Sequence, residues 1–281
     1  MPGSPSPPPR QRPIGVFDSG VGGLTVLHEL LVALPHEDFV YLGDHARLPY
    51  GPRPLAEVRG FAREIGAFLE GRDVKLIVVA CNSATSAAMP QLQSELSVPV
   101  VGVIAPEARA AVQATRNRRV GLLATQATVE AGRYGDLVRA LDAGVELHPI
   151  ACPRLVPLIE SDDPYGDATE EAVREYAAPL KEAGVDTVIL GCTHYPLIRP
   201  LFQRVFGRDV TLVFSAEETA REVSDTLARK RIENDVARTG AYRFLTTGDP
   251  AAFREMGRRF LQLPIAEVEH VGVSQLEGAA A

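Results

Sequence analysis

The chain has 281 residues, of which 46% are hydrophobic, enough for the core of one large or two small domains. Its net charge of -7 argues against nucleic acid or an anionic membrane as a partner, because both are negatively charged. No apolar run approaches the roughly 18 residues that span a bilayer. Three cysteines, an odd number, and no visible secretory signal predict a cytoplasmic protein without a disulfide framework.

The chain begins with a proline-rich segment. Residues 1–13 contain six prolines and no apolar cluster, so a disordered tail is predicted there. A short apolar strand is predicted at 14–17, followed by the glycine-rich turn 18–23. Leucines spaced by three and four residues then predict a helix that ends at Pro35.

Strands and helices continue to alternate through the first half of the chain. A strand at 39–42 leads into the loop 43–51, whose two glycines and proline indicate a defined shape. Pro54 suits the first turn of a helix with a regular apolar stripe, and further strands are predicted at 76–80 and 98–104. This alternation predicts parallel sheets covered by helices on both faces, the α/β class.

Two apolar runs end in a cysteine that is followed by small polar residues. Residues 76–80 precede Cys81, and residues 187–191 precede Cys192. Each run is typical of a buried strand that leads into the start of a helix, which places each thiol at the carboxyl end of a strand. Ligands bind at these ends in open α/β sheets, and a helix N-terminus favours a thiolate. We therefore expect paired chemistry from the two thiols.

The second half of the chain repeats the pattern of the first. Residues 120–125 resemble residues 14–19, and the two segments are separated by nearly the same length of chain as Cys81 and Cys192. Two matches at almost one offset indicate an internal duplication. The sequence therefore predicts two similar parallel-sheet α/β domains related by pseudo-twofold symmetry, with the active site in the cleft between them.

The predicted domains are not continuous along the chain. The first α/β domain is predicted to comprise residues 14–104 together with 215–270, and the second residues 105–214. A flexible C-terminal tail is predicted over residues 271–281. The chain would thus leave the first domain, complete the second and return.

A pair of thiols on opposite sides of a cleft suits inversion at a carbon that carries an acidic hydrogen. One group removes the proton as a base, the carbon becomes planar, and the other group returns a proton from the opposite face. A thiol has an ordinary pKa of about 8.5, so local dipoles and partners can hold it in either protonation state at neutral pH. Cys81 and Cys192 could then exchange roles with the direction of reaction.

Two other uses of these residues remain open on spacing alone. Cys192 and His194 could bind zinc together with Cys81, although no second close-spaced ligand pair supports such a site. Cys192 and His194 could also serve as nucleophile and base of a cysteine hydrolase. Insensitivity to chelators would exclude the first, and absence of a covalent acyl-enzyme would exclude the second.

Several further classes fit the sequence poorly. A cysteine phosphatase needs an arginine after its nucleophile, and residues 82–88 contain none. Pyridoxal phosphate needs a Schiff-base lysine, and Lys75, Lys181 and Lys230 are all badly placed for one. The glycines of residues 20–23 match neither the dinucleotide fingerprint nor a P-loop.

Four segments, in order, resemble the signature segments of the glutamate racemases, a cofactor-independent family of the aspartate/glutamate racemase superfamily. The resemblance extends from about residue 14 to residues 248–250. It implies interconversion of L- and D-glutamate without cofactor or metal, supplying D-glutamate for peptidoglycan. It also implies a small-molecule substrate, and a homodimer is one assembly that it allows. Glutamate rather than aspartate rests on the resemblance alone. The segments are 18–26, 43–51, 80–85 and 191–196.

The resemblance also implies catalytic roles. Cys81 would deprotonate the D enantiomer and Cys192 the L enantiomer. Asp18 would assist on the Cys81 side, and His194 would help to deprotonate Cys192. Glu160 matches a family carboxylate that lies behind the histidine, and a carboxylate that orients an imidazole is physically reasonable.

The substrate contacts implied by the resemblance are neutral or backbone donors, apart from Asp18 and a protonated His194. Helix N-terminal N–H groups and hydroxyls can bind a dicarboxylic amino acid without arginine. The role of Arg47 stays open, Cys152 is expected to be structural, and His45 replaces a threonine common in the family. Thr125 and Thr128 are weaker candidates for the same surface. The implied substrate contacts are Asp18, Ser19, Pro49, Tyr50, Gly51, Asn82, Ser83, Thr125, Thr193 and His194.

Overall fold

The computed structural model describes residues 8–280. The tail predicted for residues 1–13 therefore lies largely outside the described residues, and within it Pro9–Gln11 forms one turn of 3-10 helix. Among residues 8–280, no helix is both long and apolar enough to cross a membrane.

Within residues 8–280, ten strands form two sheets, and every strand pair in both is parallel. The strands are β1 (Ile14–Asp18), β2 (Phe39–Gly43), β3 (Leu76–Val79), β4 (Val100–Gly102), β5 (Arg119–Ala124), β6 (Glu146–Ala151), β7 (Thr187–Gly191), β8 (Thr211–Phe214), β9 (Tyr242–Thr246) and β10 (Val268–His270). The six-stranded sheet has the order β10-β9-β2-β1-β3-β4, and the four-stranded sheet has the order β6-β5-β7-β8.

Helices connect successive strands, as parallel pairing requires. They are α1 (Leu24–Ala33), α2 (Leu55–Glu70), α3 (Asn82–Glu95), α4 (Ile104–Ala114), α5 (Gln126–Glu130), α6 (Arg133–Leu141), α7 (Leu155–Glu160), α8 (Asp167–Glu182), α9 (Arg199–Phe206), α10 (Ser215–Lys230), α11 (Pro250–Leu261) and α12 (Val273–Ala279). The predicted α/β class with two parallel sheets is confirmed.

The centre of the six-stranded sheet is buried on both faces. Every residue of β1 and β3 is buried, which explains why these strands read as continuous apolar runs. Phe17 of β1 pairs with Val79 of β3. Asp18 and Cys81 therefore leave the sheet at the same carboxyl edge, where ligands of such sheets bind.

The four-stranded sheet brings its own turns together in the same way. Ala124 of β5 pairs with Ala151 of β6 and with Gly191 of β7. The turns that begin at Cys152 and Cys192 therefore start beside the end of β5. Both sheets thus present a cysteine at the carboxyl end of a strand next to the sheet centre.

The last part of the chain returns to the six-stranded sheet. Strand β9 pairs with β2, and β10 pairs with β9. Helix α10 packs against both α1 and α4. Helix α1 follows β1 and helix α4 follows β4, which are both strands of the six-stranded sheet. The exact domain boundaries stay a prediction.

The C-terminal stretch contains a helix where the sequence suggests a flexible tail over 271–281. Helix α12 packs against α2, and Val271 and Leu276 are fully buried in the core under the six-stranded sheet. Burial of these two apolar side chains orders the segment. Two isolated apolar residues in a short polar stretch are a weak signal, so the sequence pattern missed this helix.

Candidate active site

Cys81 lies at the start of α3, directly after β3. It is the N-cap residue of the helix, and its Sγ accepts a hydrogen bond from the backbone N–H of Ala84 at 3.5 Å. The thiol lies 3.9 Å from the Ser19 hydroxyl. Burial raises the pKa of Cys81 well above its ordinary value, and the negative charge of Asp18 raises it further. These surroundings favour the protonated thiol, despite the helix N-terminus.

Asp18 ends β1 and is held by the glycine-rich turn that follows. Its Oδ2 accepts hydrogen bonds from the backbone N–H groups of Gly20 at 3.2 Å and Gly23 at 2.9 Å. A Cβ on Gly23 would lie 2.6 Å from the Asp18 Cβ, so the turn can only approach this closely with glycine. Asp18 is fully buried, and its Oδ1 has no hydrogen-bond partner among the described residues. This oxygen is available to a bound molecule or a nearby proton.

Cys192 follows β7 but does not start an α-helix. A 3-10 helix, Tyr195–Ile198, comes next, and the α-helix begins only at Arg199. The expectation that each thiol lies at a helix start is therefore wrong for Cys192. Pro196 lacks an N–H group for the helical hydrogen-bond pattern, and Pro200 provides the first turn of α9 instead.

His194 lies beside Cys192, and Glu160 lies behind His194. The Nδ1 atom of His194 lies 3.8 Å from the Cys192 Sγ, and Nε2 lies 2.9 Å from Oε1 of Glu160. Burial alone would lower the pKa of His194, but the hydrogen bonds with Cys192 and Glu160 outweigh burial and raise it to about 10. The pKa of Glu160 is lowered, because its contacts with His194 outweigh the effect of burial. A protonated imidazole thus places a positive charge beside the Cys192 Sγ.

One cavity of about 170 Å³ joins the two cysteine turns. Cys81, Cys192 and every residue with an implied substrate contact line it. Glu160 is the exception among the implied catalytic residues, since it reaches the site only through His194. The structure thus brings together residues that are up to about 175 positions apart in the chain. Their catalytic and binding roles stay predictions.

The cavity also has lining residues that the sequence patterns did not identify. They come from the loop before α2, from the start of α5, and from the turn after β6 together with the first residues of α7. Cys152 belongs to this last group: its thiol donates to the Ile150 carbonyl at 3.5 Å, and burial raises its pKa to about 12. The strand before it, β6, contains Glu146, His148 and Pro149, so no apolar run marks this position in the sequence. The unanticipated lining residues are Leu48, Pro52, Gln126, Cys152, Pro153, Val156 and Pro157.

Arg47, whose role the sequence left open, supports the loop that carries Tyr50. Its Nε donates to Oδ2 of the fully buried Asp44 at 2.7 Å, and Nη1 pairs with Glu64. The Tyr50 hydroxyl also donates to Asp44. Arg47 is absent from the cavity lining among the described residues. The hydroxyl of Tyr50 is therefore occupied by Asp44, and Tyr50 is among the residues that line the cavity.

Hydroxyls connect the helices on the two sides of the cavity. The Ser83 Oγ lies 2.9 Å from the Thr125 Oγ1, which in turn lies 3.0 Å from the Thr128 Oγ1. Ser83 belongs to α3, which follows β3, and Thr125 caps α5, which follows β5. These hydrogen-bonded hydroxyls therefore connect the two sheets. Thr128 is buried behind Thr125 and does not line the cavity. It supports the site rather than forming its surface.

His45 lies behind the glycine-rich turn, outside the cavity lining. Burial lowers its pKa, although the carboxylates of Glu160 and Asp18 act in the opposite direction. Its ring packs edge-on against Phe253. Within residues 8–280, no group of three or more His, Cys, Asp or Glu side chains has an arrangement that could hold a metal ion.

Comparison with known proteins agrees with this geometry. A family model described as Asp/Glu/Hydantoin racemase matches residues 18–223. Glutamate racemase from Listeria monocytogenes serotype 4a (strain HCC23) is 44% identical to this chain over 261 residues, which cover 93% of the chain and 98% of the relative. The match therefore includes both cysteine turns.

Solved structures give the same result. A glutamate racemase isoform from Bacillus anthracis superposes with a TM-score of 0.90 at 40% identity, covering 94% of this chain and 98% of that one. Glutamate racemase from Francisella tularensis subsp. tularensis SCHU S4 in complex with D-glutamate superposes with a TM-score of 0.88 at 33% identity, covering 94% and 98%. The chain belongs to the Asp/Glu/hydantoin racemase family and is an isomerase of the racemase type.

Proposed function

We propose that the protein interconverts L- and D-glutamate by proton transfer at Cα, with Cys81 and Cys192 as the two acid–base groups. The observation that carries this proposal is the single cavity lined by both thiols, each from the end of a strand in a different sheet. Relatives that are glutamate racemases, one of them bound to D-glutamate, support the choice of substrate.

The surroundings of the two thiols support a direction-dependent division of work. In the L-to-D direction, the Cys192 thiolate, paired with protonated His194, removes the α-proton. The protonated thiol of Cys81 then donates its proton to the opposite face of the planar carbon. After this step Cys192 is a thiol and Cys81 a thiolate. A D-glutamate molecule that binds next is deprotonated by Cys81, so the reverse reaction restores the first state.

The lining suits an anionic substrate, with His194 as a basic side chain at its surface. Among the described residues that form the cavity surface, none is lysine or arginine. The hydroxyls of Ser19, Ser83 and Thr193 and the N-terminus of α3 are the available donors, and helix N-termini bind carboxylates well. Pyridoxal chemistry would need a lysine at this surface, so the reaction we propose does not use that cofactor. The resemblance of the four signature segments supports a reaction without any cofactor.

The biological role we propose is the supply of D-glutamate for peptidoglycan synthesis in the cytoplasm. Glutamate is the small-molecule partner, and no nucleic acid or membrane takes part. The resemblance of the four signature segments supports this role. A host strain that depends on this gene should require added D-glutamate when the protein is depleted. Growth of the depleted strain without added D-glutamate would contradict the role. We further propose a homodimer, which light scattering of the purified protein tests.

The deciding experiment is incubation of the purified protein with each glutamate enantiomer in deuterated water. We expect inversion of both enantiomers with deuterium at Cα, unaffected by chelators and without added cofactor. The same assay with aspartate should show much slower exchange, and mass spectrometry should detect no acyl-enzyme. Failure of the protein to exchange the α-proton of either glutamate enantiomer would overturn the proposal.

A further inference from the structure

Glu107 is a buried carboxylate that the proposed proton transfer does not use. It lies in the first turn of α4 and is fully buried. Its Oε2 accepts hydrogen bonds from the Asn82 side-chain amide at 3.0 Å and from the Tyr134 hydroxyl. Burial raises the pKa of Glu107 to about 8, although both hydrogen bonds act in the opposite direction. A buried carboxyl group needs a reason to be retained, because an apolar residue would cost less there.

The hydrogen bonds fix which way the Asn82 amide faces. Its Nδ2 donates both protons, one to Glu107 Oε2 and one to the Tyr134 hydroxyl oxygen at 2.9 Å. The Tyr134 proton is committed to Glu107, so its oxygen is free to accept. A flipped amide would place an acceptor against the Glu107 carboxyl oxygen, which is unfavourable. The amide nitrogen is therefore held away from the cavity.

The amide oxygen of Asn82 is left without a partner. Oδ1 is buried and has no hydrogen bond among the described residues, while Asn82 is only 2% exposed and lines the cavity. An unsatisfied buried acceptor costs free energy unless a ligand supplies a donor. An amino acid has one group that can only donate, its α-ammonium. An amide oxygen can only accept, whereas the hydroxyls around it can do both.

The network lies between the two cysteine turns. Asn82 directly follows Cys81, and the Tyr134 hydroxyl lies so close to Gly191, which precedes Cys192, that a Cβ there would be 3.2 Å from it. Asn82 belongs to α3, Glu107 to α4 and Tyr134 to α6, so helices associated with both sheets take part. An ammonium group bound here would lie beside Cα, the atom that both thiols must reach.

We propose that Glu107 and Tyr134 are positioning residues that hold the Asn82 amide with its oxygen toward the cavity, where it accepts a hydrogen bond from the substrate's α-ammonium. This inference deepens the proposed racemase function and rests on it. The ammonium group is common to both enantiomers and stays charged throughout the reaction. The contact therefore contributes to binding of either enantiomer, and its loss raises KM more than it lowers kcat.

Glu107→Leu tests the proposal, with Glu107→Gln as its conservative partner. Leucine removes the acceptor and frees the Asn82 amide to turn. We expect KM for both enantiomers to rise about tenfold, as for a lost hydrogen bond to a charged group, with kcat changed less than threefold. Glutamine keeps a carbonyl oxygen for both donors and should retain most of the affinity. Equal KM values for parent and Glu107→Leu would overturn the proposal.

A double-mutant cycle separates positioning from general loss of packing. In an Asn82→Ala background, Glu107→Leu should cause no further rise in KM, because there is no amide left to orient. Val138 is fully buried in α6, the helix that carries Tyr134. Val138→Ala opens a space there and should lower the melting temperature without raising KM. A rise in KM that is equal in both backgrounds would assign Glu107 to packing alone and overturn the inference.

NMR gives a readout that does not depend on turnover. The Asn82 side-chain NH₂ protons should exchange slowly with solvent in the parent and much faster in Glu107→Leu. Fast exchange in the parent would overturn the orientation. Failure of the proposed function can be distinguished from failure of this inference. If the proposed function is wrong, the parent protein is inactive but keeps a protected Asn82 amide. If this inference is wrong, the parent is active and its KM does not change in Glu107→Leu.

Discussion

The two cysteine turns occupy equivalent places in two sheets and have opposite surroundings. Cys81 caps a helix, yet burial and the nearby Asp18 raise its pKa and favour the thiol. Cys192 has no helix of its own, but His194 and Glu160 place a positive charge beside it. The helix dipole contributes less here than burial and a charged neighbour do. Position in the fold brings both thiols to the cavity, and in the mechanism we propose their neighbours decide which one acts as the acid.

Replacing either cysteine should have the largest effect. Each of Cys81→Ala and Cys192→Ala removes one of two acid–base groups, so inversion should slow by about 10²- to 10⁴-fold in both directions. With Cys192 intact, Cys81→Ala should still exchange the α-proton of L-glutamate faster than that of D-glutamate, and Cys192→Ala should do the reverse. NMR in deuterated water measures both. Identical exchange preferences in the two variants would break the assignment of one thiol to each face.

His194→Asn should affect the two directions unequally. It removes the positive charge that favours the Cys192 thiolate, so kcat for L-to-D conversion should fall by about 100-fold and kcat for D-to-L by less. The enantiomers have equal free energy, so kcat/KM must fall equally in both directions and only kcat and KM separately can show the asymmetry. Polarimetric progress curves from each enantiomer measure them. Equal losses of kcat would contradict the proposed side for His194.

Gly22→Ala should show that the glycine-rich turn couples the two sides. A Cβ on Gly22 would overlap His194 Nδ1 and lie 2.5 Å from the Thr193 Oγ1. The variant should displace His194 and lower kcat roughly tenfold, as expected for misplaced catalytic groups. Gly60→Ala is the matched control, since a Cβ there meets nothing within 4 Å and alanine favours the helix. Normal activity in Gly22→Ala would contradict the proposed coupling between the glycine-rich turn and His194.

Glu160→Gln should have the smallest effect and a specific pH signature. The pKa of His194 is raised in the folded protein, so protonation of His194 stabilises the folded state. This stabilisation is complete below a pH of about 6.5, the pKa of His194 in the unfolded chain, and is lost as pH rises through about 10. Without the Glu160 charge this loss, and the alkaline fall of L-to-D kcat, should move about one unit lower. Glu175→Gln, in an exposed pair with Arg154, should leave the profile unchanged. An unshifted profile in Glu160→Gln would separate Glu160 from His194.

Much of the architecture was readable from local patterns. Apolar runs that end in small polar residues correctly indicated the strands that end before Cys81 and Cys192, because strand burial and turn chemistry act over a few residues. The α-helix predicted after Cys192 is wrong for an equally local reason, because Pro196 lacks the N–H group that such a helix would need. Helix α12 was missed because its order depends on contacts with α2, far away in the chain.

The candidate site divides in the same way. Cys81, Cys192 and the polar residues beside them are visible in the sequence as short motifs, and all of them line the cavity. Glu107 and Tyr134 carried no comparable signal. An acidic residue in the first turn of a helix is ordinary on the surface, and only the packing of α4 and α6 makes Glu107 a buried partner of Asn82.

The sequence by itself determined the α/β alternation, the two strand-end thiols and the family to which the chain belongs. Tertiary structure decided the environment of each thiol: the approach of Glu160 to His194, the burial that raises the pKa of Cys81, and the direction of the Asn82 amide. The physical reason is that secondary structure follows from neighbours along the chain. Protonation and hydrogen-bond direction follow from distances and burial, which depend on residues brought together only by folding.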